Sequence, residues 1–518
     1  MFTTKNPHAT TLGVNIFNFL LIVELQSCKP EPLLVIADSP ELVAQTMDWG
    51  KRAGVKIVNL VNLPGRLRRN FKRNTPAGIL RASLRTTLLW FLTRRYRPKK
   101  DRKNENLMIM TLTHPQSFVG ASAYRDVYFG PLVDYVASSG SRAIILGIMV
   151  DHQFDQLRFL KTQKFGVPVL PVESFLTFRD ILACTVRALR GATRSSEPRE
   201  PVEINGLYPE KLVTGAIQEA RRSGELFTSL LMYYVGRSVA SNLVVSKYLY
   251  PYENRPWEKM LLLGIGSSSP QTQSVGYQHA AVAPDRINFF LGRGESAVAP
   301  LPDSILTTGS ITKARLEREG NYPPGMFKTG CALRLSQAVP KAVKTRRNPP
   351  NRVLVILATS VEEHVRSMVF VDQAFGPRDG FQIRIRPHPA FHMDAVLKAA
   401  PLARYDFFDL SPGSLAEDLE WADLVLYATS TVGLEAVAQG IPAIHLDLGE
   451  FVETDPMFGW NEFKWSVEDP SKLVETIREI ESLSEAEFLA RQKKGREYTD
   501  EYLRPVTASA LQLFADRV

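Results

Sequence analysis

The stretch DLVLYATSTVGLEAVAQGIPAIHL, residues 423–446, decides the fold class. Asp423 to Tyr427 is a short apolar run, Ala443 to Leu446 is another, and Thr431 to Gln439 between them carries apolar side chains at helical spacing. A strand, a helix and a strand in such close succession form a crossover, which makes the two strands parallel. Both runs are apolar throughout rather than alternating, so both faces of their sheet are covered.

Reading outward, the same alternation precedes this unit. Val353 to Ala358 is expected as a strand, Val361 to Ala374 as a helix, Phe381 to Arg386 as a strand and Met393 to Ala399 as a helix. Before it, Val339 to Arg352 combines charge with Pro349-Pro350 and has no apolar periodicity, which marks a linker. Two units follow, 1–340 and 341–518. In the first, Leu33 to Ala37 and Val55 to Val58 read as strands around a helix Pro40 to Ala53. Leu107 to Leu112 and Arg142 to Val150 read as strands around a helix Val127 to Ser138. Residues 191–205 read as a surface loop. The expected architecture is α/β: two Rossmann-like, doubly wound parallel-sheet domains facing across a cleft, the last helix crossing back to the first.

Charge is distributed unevenly. Lys and Arg number 63 against 54 Asp and Glu, a formal charge of +9. Residues 66–103 hold fourteen of the basic side chains and only Asp101 as an acid, so the rest of the chain is slightly acidic. The positive charge belongs to one local surface, which argues against a protein that coats nucleic acid. Within it Leu80, Leu84, Leu88 and Phe91 or Leu92 recur at helical spacing among Arg81, Arg85, Trp90, Arg94 and Arg95, a pattern suited to an anionic lipid interface. The apolar run Val14 to Val23 is too short to span a bilayer and reads as a first helix or strand rather than an export signal. Cys28, Cys184 and Cys331 lie too far apart in sequence to suggest a zinc site or a disulfide framework.

Parallel sheets place their ligands outside the carboxyl ends of the strands, so residues after the expected strands carry the functional reading. Arg386-Pro387-His388-Pro389 sets a cation and an imidazole between prolines, which suits a phosphate. Ser430, Thr431 and Gly433 open the helix that carries Glu435, offering hydroxyls and backbone N–H groups to an anion and a carboxylate to ribose or sugar hydroxyls. In the first domain, Gly276-Tyr277-Gln278-His279 places a histidine after a strand, preceded by the apolar run Met260 to Ile265. Tyr250 to Lys259 adds Glu253 and Glu258 beside aromatics that stack on a sugar face.

In this order, Y-x-Y-E-N-x-x-W-E at Tyr250 to Glu258, Gln278-His279, R-P-H-P at Arg386 to Pro389 and T-S-T-V-G-L-E-A at Thr429 to Ala436 resemble the GT-B glycosyltransferases of bacterial surface carbohydrate synthesis. O-antigen and capsule biosynthesis proteins are the nearer likeness, and Kdo transferases, polysialyltransferases and CDP-glycerol glycerophosphotransferases the more distant. The resemblance implies that Arg386 and His388 contact the donor phosphate, Ser430 and Thr431 its remaining oxygens and Glu435 the ribose or sugar. It places His279 near the transferred group and leaves the acceptor base among Glu253, Glu258 and His279. It implies a nucleotide-activated sugar as substrate, no metal and no other cofactor, and a glycan or lipid-linked acceptor. The enzyme would be cytoplasmic, held peripherally at the inner face of a bacterial plasma membrane, with no nucleic-acid partner. A polyol- or glycerophosphate transferase and a non-hydrolysing nucleotide-sugar epimerase are the rival activities of the same fold.

Overall fold

A computed structural model describes residues 12–28, 32–35, 37, 39–58, 76–119, 123–140, 142–150, 152–161, 166–194, 201–334, 343–358, 360–375, 380–388, 393, 396, 408–450 and 452–516. Apolar runs with paired neighbours become strands. β1 (Asp101–Thr113), β4 (Ala143–Met149), β5 (Val169–Pro171), β6 (Leu243–Pro251), β7 (Gln273–Gln278), β8 (Ser304–Thr307) and β9 (Phe327–Thr329) form one parallel sheet in the order β5-β4-β1-β6-β7-β8-β9. A small antiparallel pair, β2 (Phe118–Val119) and β3 (Ala123–Tyr124), lies outside it. β10 (Arg352–Ile356), β11 (Gln382–Arg386), β12 (Asp409–Leu410), β13 (Leu424–Tyr427), β14 (Ala443–Leu446) and β15 (Lys464–Val467) form a second parallel sheet in the order β12-β11-β10-β13-β14-β15. Each sheet grows outward from a central strand, then resumes on that strand's other side. The reversals, between β1 and β6 and between β10 and β13, open the crevices that serve as ligand sites in this topology.

The expected parallel character holds: every residue of β13 and β14 is buried, packed on both faces by helices. The first sheet separates two further cores, one containing Tyr248, Leu261 and Phe289 and the other Ile109, Val275 and Tyr277. Helices Gly224–Asn242 and Pro256–Gly266 approach closely because Gly236 faces Gly264. A Cβ on Gly264 would lie 2.2 Å from the carbonyl oxygen of Tyr233.

Several expectations are corrected. The described residues of Leu33–Ala37 and of Val55–Val58 are not strands. Leu34 is 72% and Val58 63% exposed, and among the described residues neither run pairs with a strand, the arrangement that would satisfy a strand's backbone groups. Val14 to Val23, expected as a first helix or strand, is helical as part of Leu12–Cys28, which joins helix Pro40–Ala53 in a small separate core built on Phe19, Ile22, Leu42 and Leu212. The helix expected from Val127 begins only at Leu132. Asp126 ties the N–H groups of Tyr128 and Phe129 into a turn, and Gly130 adopts φ +44° just before Pro131. Met260 to Ile265 belongs to helix Pro256–Gly266, so the strand leading to His279 is β7. Of the expected helix Met393 to Ala399, only Met393 and Val396 are described, both helical.

The two sheets are joined by more than the chain between them. Asp285 N–H donates to Glu453 O at 3.1 Å, and Val282 N–H to the Tyr502 hydroxyl at 3.2 Å. A Cβ on Gly309 would fall 2.0 Å from Glu501 O, so helix Glu485–Tyr502 sits directly against the start of helix Ser310–Glu319. The last helix, Ala508–Ala515, returns to the first sheet and buries Ala510, Leu511 and Phe514 there. The buried Lys247 ammonium donates to Leu513 O at 3.1 Å and to Asp516 O, capping that helix's C-terminal carbonyls. Two Rossmann-like domains facing across a cleft, with the final helix recrossing it, make up the GT-B arrangement.

Candidate functional site

The cleft has a volume of about 460 Å³ and takes its lining from both domains. Its second-domain wall forms where β10 and β13 end, at the reversal of that sheet. Thr429 is committed within the wall: its hydroxyl and N–H reach Glu363 Oε1 at 3.0 and 3.3 Å. Ser430 Oγ accepts the Val432 N–H at 3.3 Å, while Thr431 stands exposed at the mouth with no side-chain capping bond. The following helix, Val432–Ala438, has only seven residues, so charged side chains and not a long helix dipole must balance an anion here. Gly433 faces the protein: a Cβ there would meet the Tyr427 ring at 2.7 Å, and the glycine lets the helix close onto β13.

Glu435 is 5% exposed and lines the cleft, and its carboxyl has no hydrogen-bond or ion-pair partner among the described residues. Burial pushes its carboxyl up to about 7 against the opposing pull of Arg334 and Arg386. His388 is half-buried at the end of β11. Burial, then the nearby His364 and Arg334, hold its imidazole below the usual histidine range, so it is neutral at pH 7. Arg386 reaches the cleft, but its guanidinium is held by Asp418 at 2.7 Å, Gly413 O at 2.9 Å and Ser411 Oγ at 3.0 Å. Asp418, 1% exposed in side chain, also pairs with Arg384 at 3.1 Å. Arg386 thus fastens the loop after β12 onto β11, with its charge already matched.

The first-domain wall lies at the ends of β6 and β7. Asn254 takes φ +55°, a conformation its short amide tolerates, and donates to Asn288 O at 2.8 Å. Asn288 returns a bond to Glu253 O at 2.9 Å. This reciprocal clamp turns the Glu253 side chain toward β7, where its Oε1 lies 3.3 Å from His279 Nε2. Arg255 donates to the other carboxylate oxygen. Burial raises the Glu253 pKa, but His279 and Arg255 outweigh it and bring the carboxyl to about 2. The His279 ring stands edge-on to Tyr128 with centroids 4.8 Å apart, and its Nδ1 has no hydrogen-bond partner among the described residues.

The structure separates the three candidate bases. Glu253 and His279 line the cleft together, whereas Glu258 is 1% exposed behind the wall. Both Glu258 oxygens lie 3.2 Å from the Glu253 N–H, and burial, reinforced by Glu253, raises its carboxyl far above the usual range. It is a neutral buttress. The residues of the cationic segment lie on a different surface. On helix Pro76–Thr93, Ile79 and Leu89 are buried while Leu80, Leu84, Leu88 and Phe91 are 48 to 74% exposed. Arg81 is exposed, Arg85 bonds Gln153 at 3.0 Å, Arg94 lies over the Phe91 ring at 4.5 Å and Arg95 over Tyr96 at 4.9 Å. Trp90 turns inward and donates to Leu176 O at 3.0 Å. Arg66, Arg68, Arg69, Lys72 and Arg73 lie outside the described residues.

Among the described residues no group of three or more His, Cys, Asp and Glu side chains is arranged for a metal ion, and no helix is long and apolar enough to cross a membrane. Sequence reasoning missed Tyr128, Glu363, Asp418 and Arg334. None of them stands in a motif, and only Arg334, five residues past the end of β9, carried a positional signal.

No protein-family model and no curated protein matches the chain. Among solved structures it is similar to a UDP-N-acetylglucosamine 2-epimerase, at 11% identity over 80% of this chain and 95% of that one, with a TM-score of 0.44. It is similar to CalG4, the calicheamicin glycosyltransferase, at 11% identity over 80% and 99%, with a TM-score of 0.43. For MurG of Acinetobacter baumannii the identity is 10% over 80% and 98%, with a TM-score of 0.39.

Proposed function

We propose that the chain is a glycosyltransferase that moves a sugar from a nucleotide-activated donor onto the hydroxyl of a surface-glycan acceptor. The observation that carries this reading is a histidine–carboxylate dyad on one cleft wall opposite a polar wall holding His388, Ser430, Thr431 and Glu435. A carboxylate at about 2 is a poor proton acceptor at neutral pH, and a protonated Glu258 is none, so the base is His279. Ionised Glu253 only accepts hydrogen bonds, so it holds a proton on His279 Nε2 and leaves Nδ1 as the ring atom that takes the acceptor hydroxyl's proton. As that oxygen bonds the anomeric carbon, its proton passes to Nδ1 and the bond from the carbon to the donor phosphate oxygen breaks. The oxygens of the leaving nucleotide phosphate accept hydrogen bonds from the imidazole N–H of His388 and the hydroxyls of Ser430 and Thr431. Glu435 receives hydroxyls of the ribose or sugar.

The acceptor is lipid-linked, and the enzyme sits on the inner face of a bacterial plasma membrane. The exposed leucines of helix Pro76–Thr93 with Arg81, Arg85, Arg94 and Arg95 beside them support that placement. The test is a product analysis over a panel of nucleotide sugars with isolated bacterial membranes as acceptor. Nucleotide release that requires acceptor, and falls at least about a hundredfold in His279→Ala, is the expected result. Isomerised donor formed without acceptor would identify an epimerase instead.

A further inference from the structure

The chain leaves the first sheet through a segment fixed on two sides. The Tyr277 hydroxyl donates to Cys331 O at 3.0 Å and accepts the Leu333 N–H at 2.9 Å, and the Ala332 N–H donates to Arg504 O at 2.9 Å. Cys331 and Leu333 are fully buried. Arg334, the next residue, is exposed and lines the cleft. Among the described residues no carboxylate pairs with it. The other arginines of the cleft lining are matched: Arg386 by Asp418 at 2.7 Å and Arg286 by Asp285 at 3.6 Å. Arg334 is therefore a guanidinium on an anchored backbone with no matching carboxylate among the described residues.

Its surroundings come from both walls. Its charge is felt by Tyr128 and Tyr277 in the first domain and by His388 and Glu435 in the second. Glu435, nine-tenths buried and unpartnered, and a neutral His388 offer a nucleotide hydrogen bonds but no positive charge, whereas a nucleotide donor brings one or two negative charges on its phosphates. Arginine's planar fork matches two phosphate oxygens at once.

We propose that Arg334 is the phosphate clamp of this cleft, binding the mono- or diphosphate of the donor, while Arg386 serves to shape the second-domain loop. The assignment rests on the nucleotide-donor reading above.

The test is calorimetric titration of the full chain with inorganic pyrophosphate, UDP and uridine, then CMP and cytidine, using wild type, Arg334→Gln, Arg334→Lys and, as a distant control, Arg318→Gln. Arg334→Gln is expected to weaken pyrophosphate and nucleotide binding at least about tenfold, the loss of one charge-assisted bidentate contact, and to leave nucleoside binding unchanged. Arg334→Lys recovers part of the loss, and Arg318→Gln matches wild type. Thermal unfolding of each variant separates a lost contact from a lost fold, and a steep salt dependence of pyrophosphate binding in wild type reads the same charge without any substitution. Equal pyrophosphate and nucleotide affinity in wild type and Arg334→Gln would overturn the clamp while leaving the transferase reading in place. A wild type that binds neither pyrophosphate nor any nucleotide would overturn both.

Discussion

Glu435 places a buried carboxyl in the cleft wall at a cost in stability that depends on pH. Its folded pKa of about 7 lies above the unfolded value, so between roughly pH 4.5 and 7 the folded state binds more protons, and stability falls as pH rises through that window. Glu435→Gln removes the penalty. The variant is expected to be more stable than wild type at pH 8, by up to about 3 kcal/mol, and so to unfold at a higher temperature, with the difference vanishing near pH 4; a melting series across pH checks this, and a constant offset would contradict it. Glu258 behaves differently because it is already protonated. Glu258→Gln should keep acceptor-dependent nucleotide release within about threefold of wild type, whereas Glu258→Ala, which leaves the Glu253 N–H without an acceptor, should lower it by about tenfold or more. Residues such as His279 and His388 were legible in the sequence because the fold puts strand ends at ligand sites. Their partners were not, since the contacts from Arg386 to Asp418 and from His279 to Glu253 join positions 32 and 26 residues apart that no local pattern connects.

At the scale of elements, periodicity succeeded where a strand had neighbours and failed where it did not. β10, β11, β13 and β14 lie where the apolar runs placed them, while Leu33 to Ala37 and Val55 to Val58 carry the same kind of residues without a paired edge. The sequence showed that helix Pro76–Thr93 has leucines at helical spacing, and the structure shows which of them face out. Across the seam from it, helix Phe178–Ala192 exposes Phe178, Leu182 and Val186, with Ser83 bonded to Thr185 at 2.7 Å. The two stripes flank one seam and are bordered by Arg81, Arg85, Arg94, Arg179 and Arg190. Cosedimentation with vesicles containing phosphatidylglycerol should be lost in the Leu84→Glu, Leu88→Glu double variant and weakened by high salt, each arginine contributing about 1 kcal/mol at an anionic surface. Unchanged cosedimentation would remove this face from consideration.

At the scale of the whole molecule, two parallel sheets turn their reversal points toward a shared cleft, and the last helix returns to lock onto the first sheet through Phe514 and Lys247. In the proposed reading one wall carries the proton acceptor and the other binds the nucleotide, with Arg334 at their junction. The fold class was readable from residues 423–446 and their repetition. The charge balance inside the cleft required three dimensions, since it depends on which arginines are matched by carboxylates. The central claim is that the second-domain wall binds a nucleotide. Its most direct test is calorimetry of the purified chain against CMP, UMP, UDP, GDP, CDP and CDP-glycerol, with His388→Ala alongside. Selective binding of one nucleotide, weakened at least about tenfold in the variant, is the predicted result; binding of none of them, or binding indifferent to His388, would contradict the account.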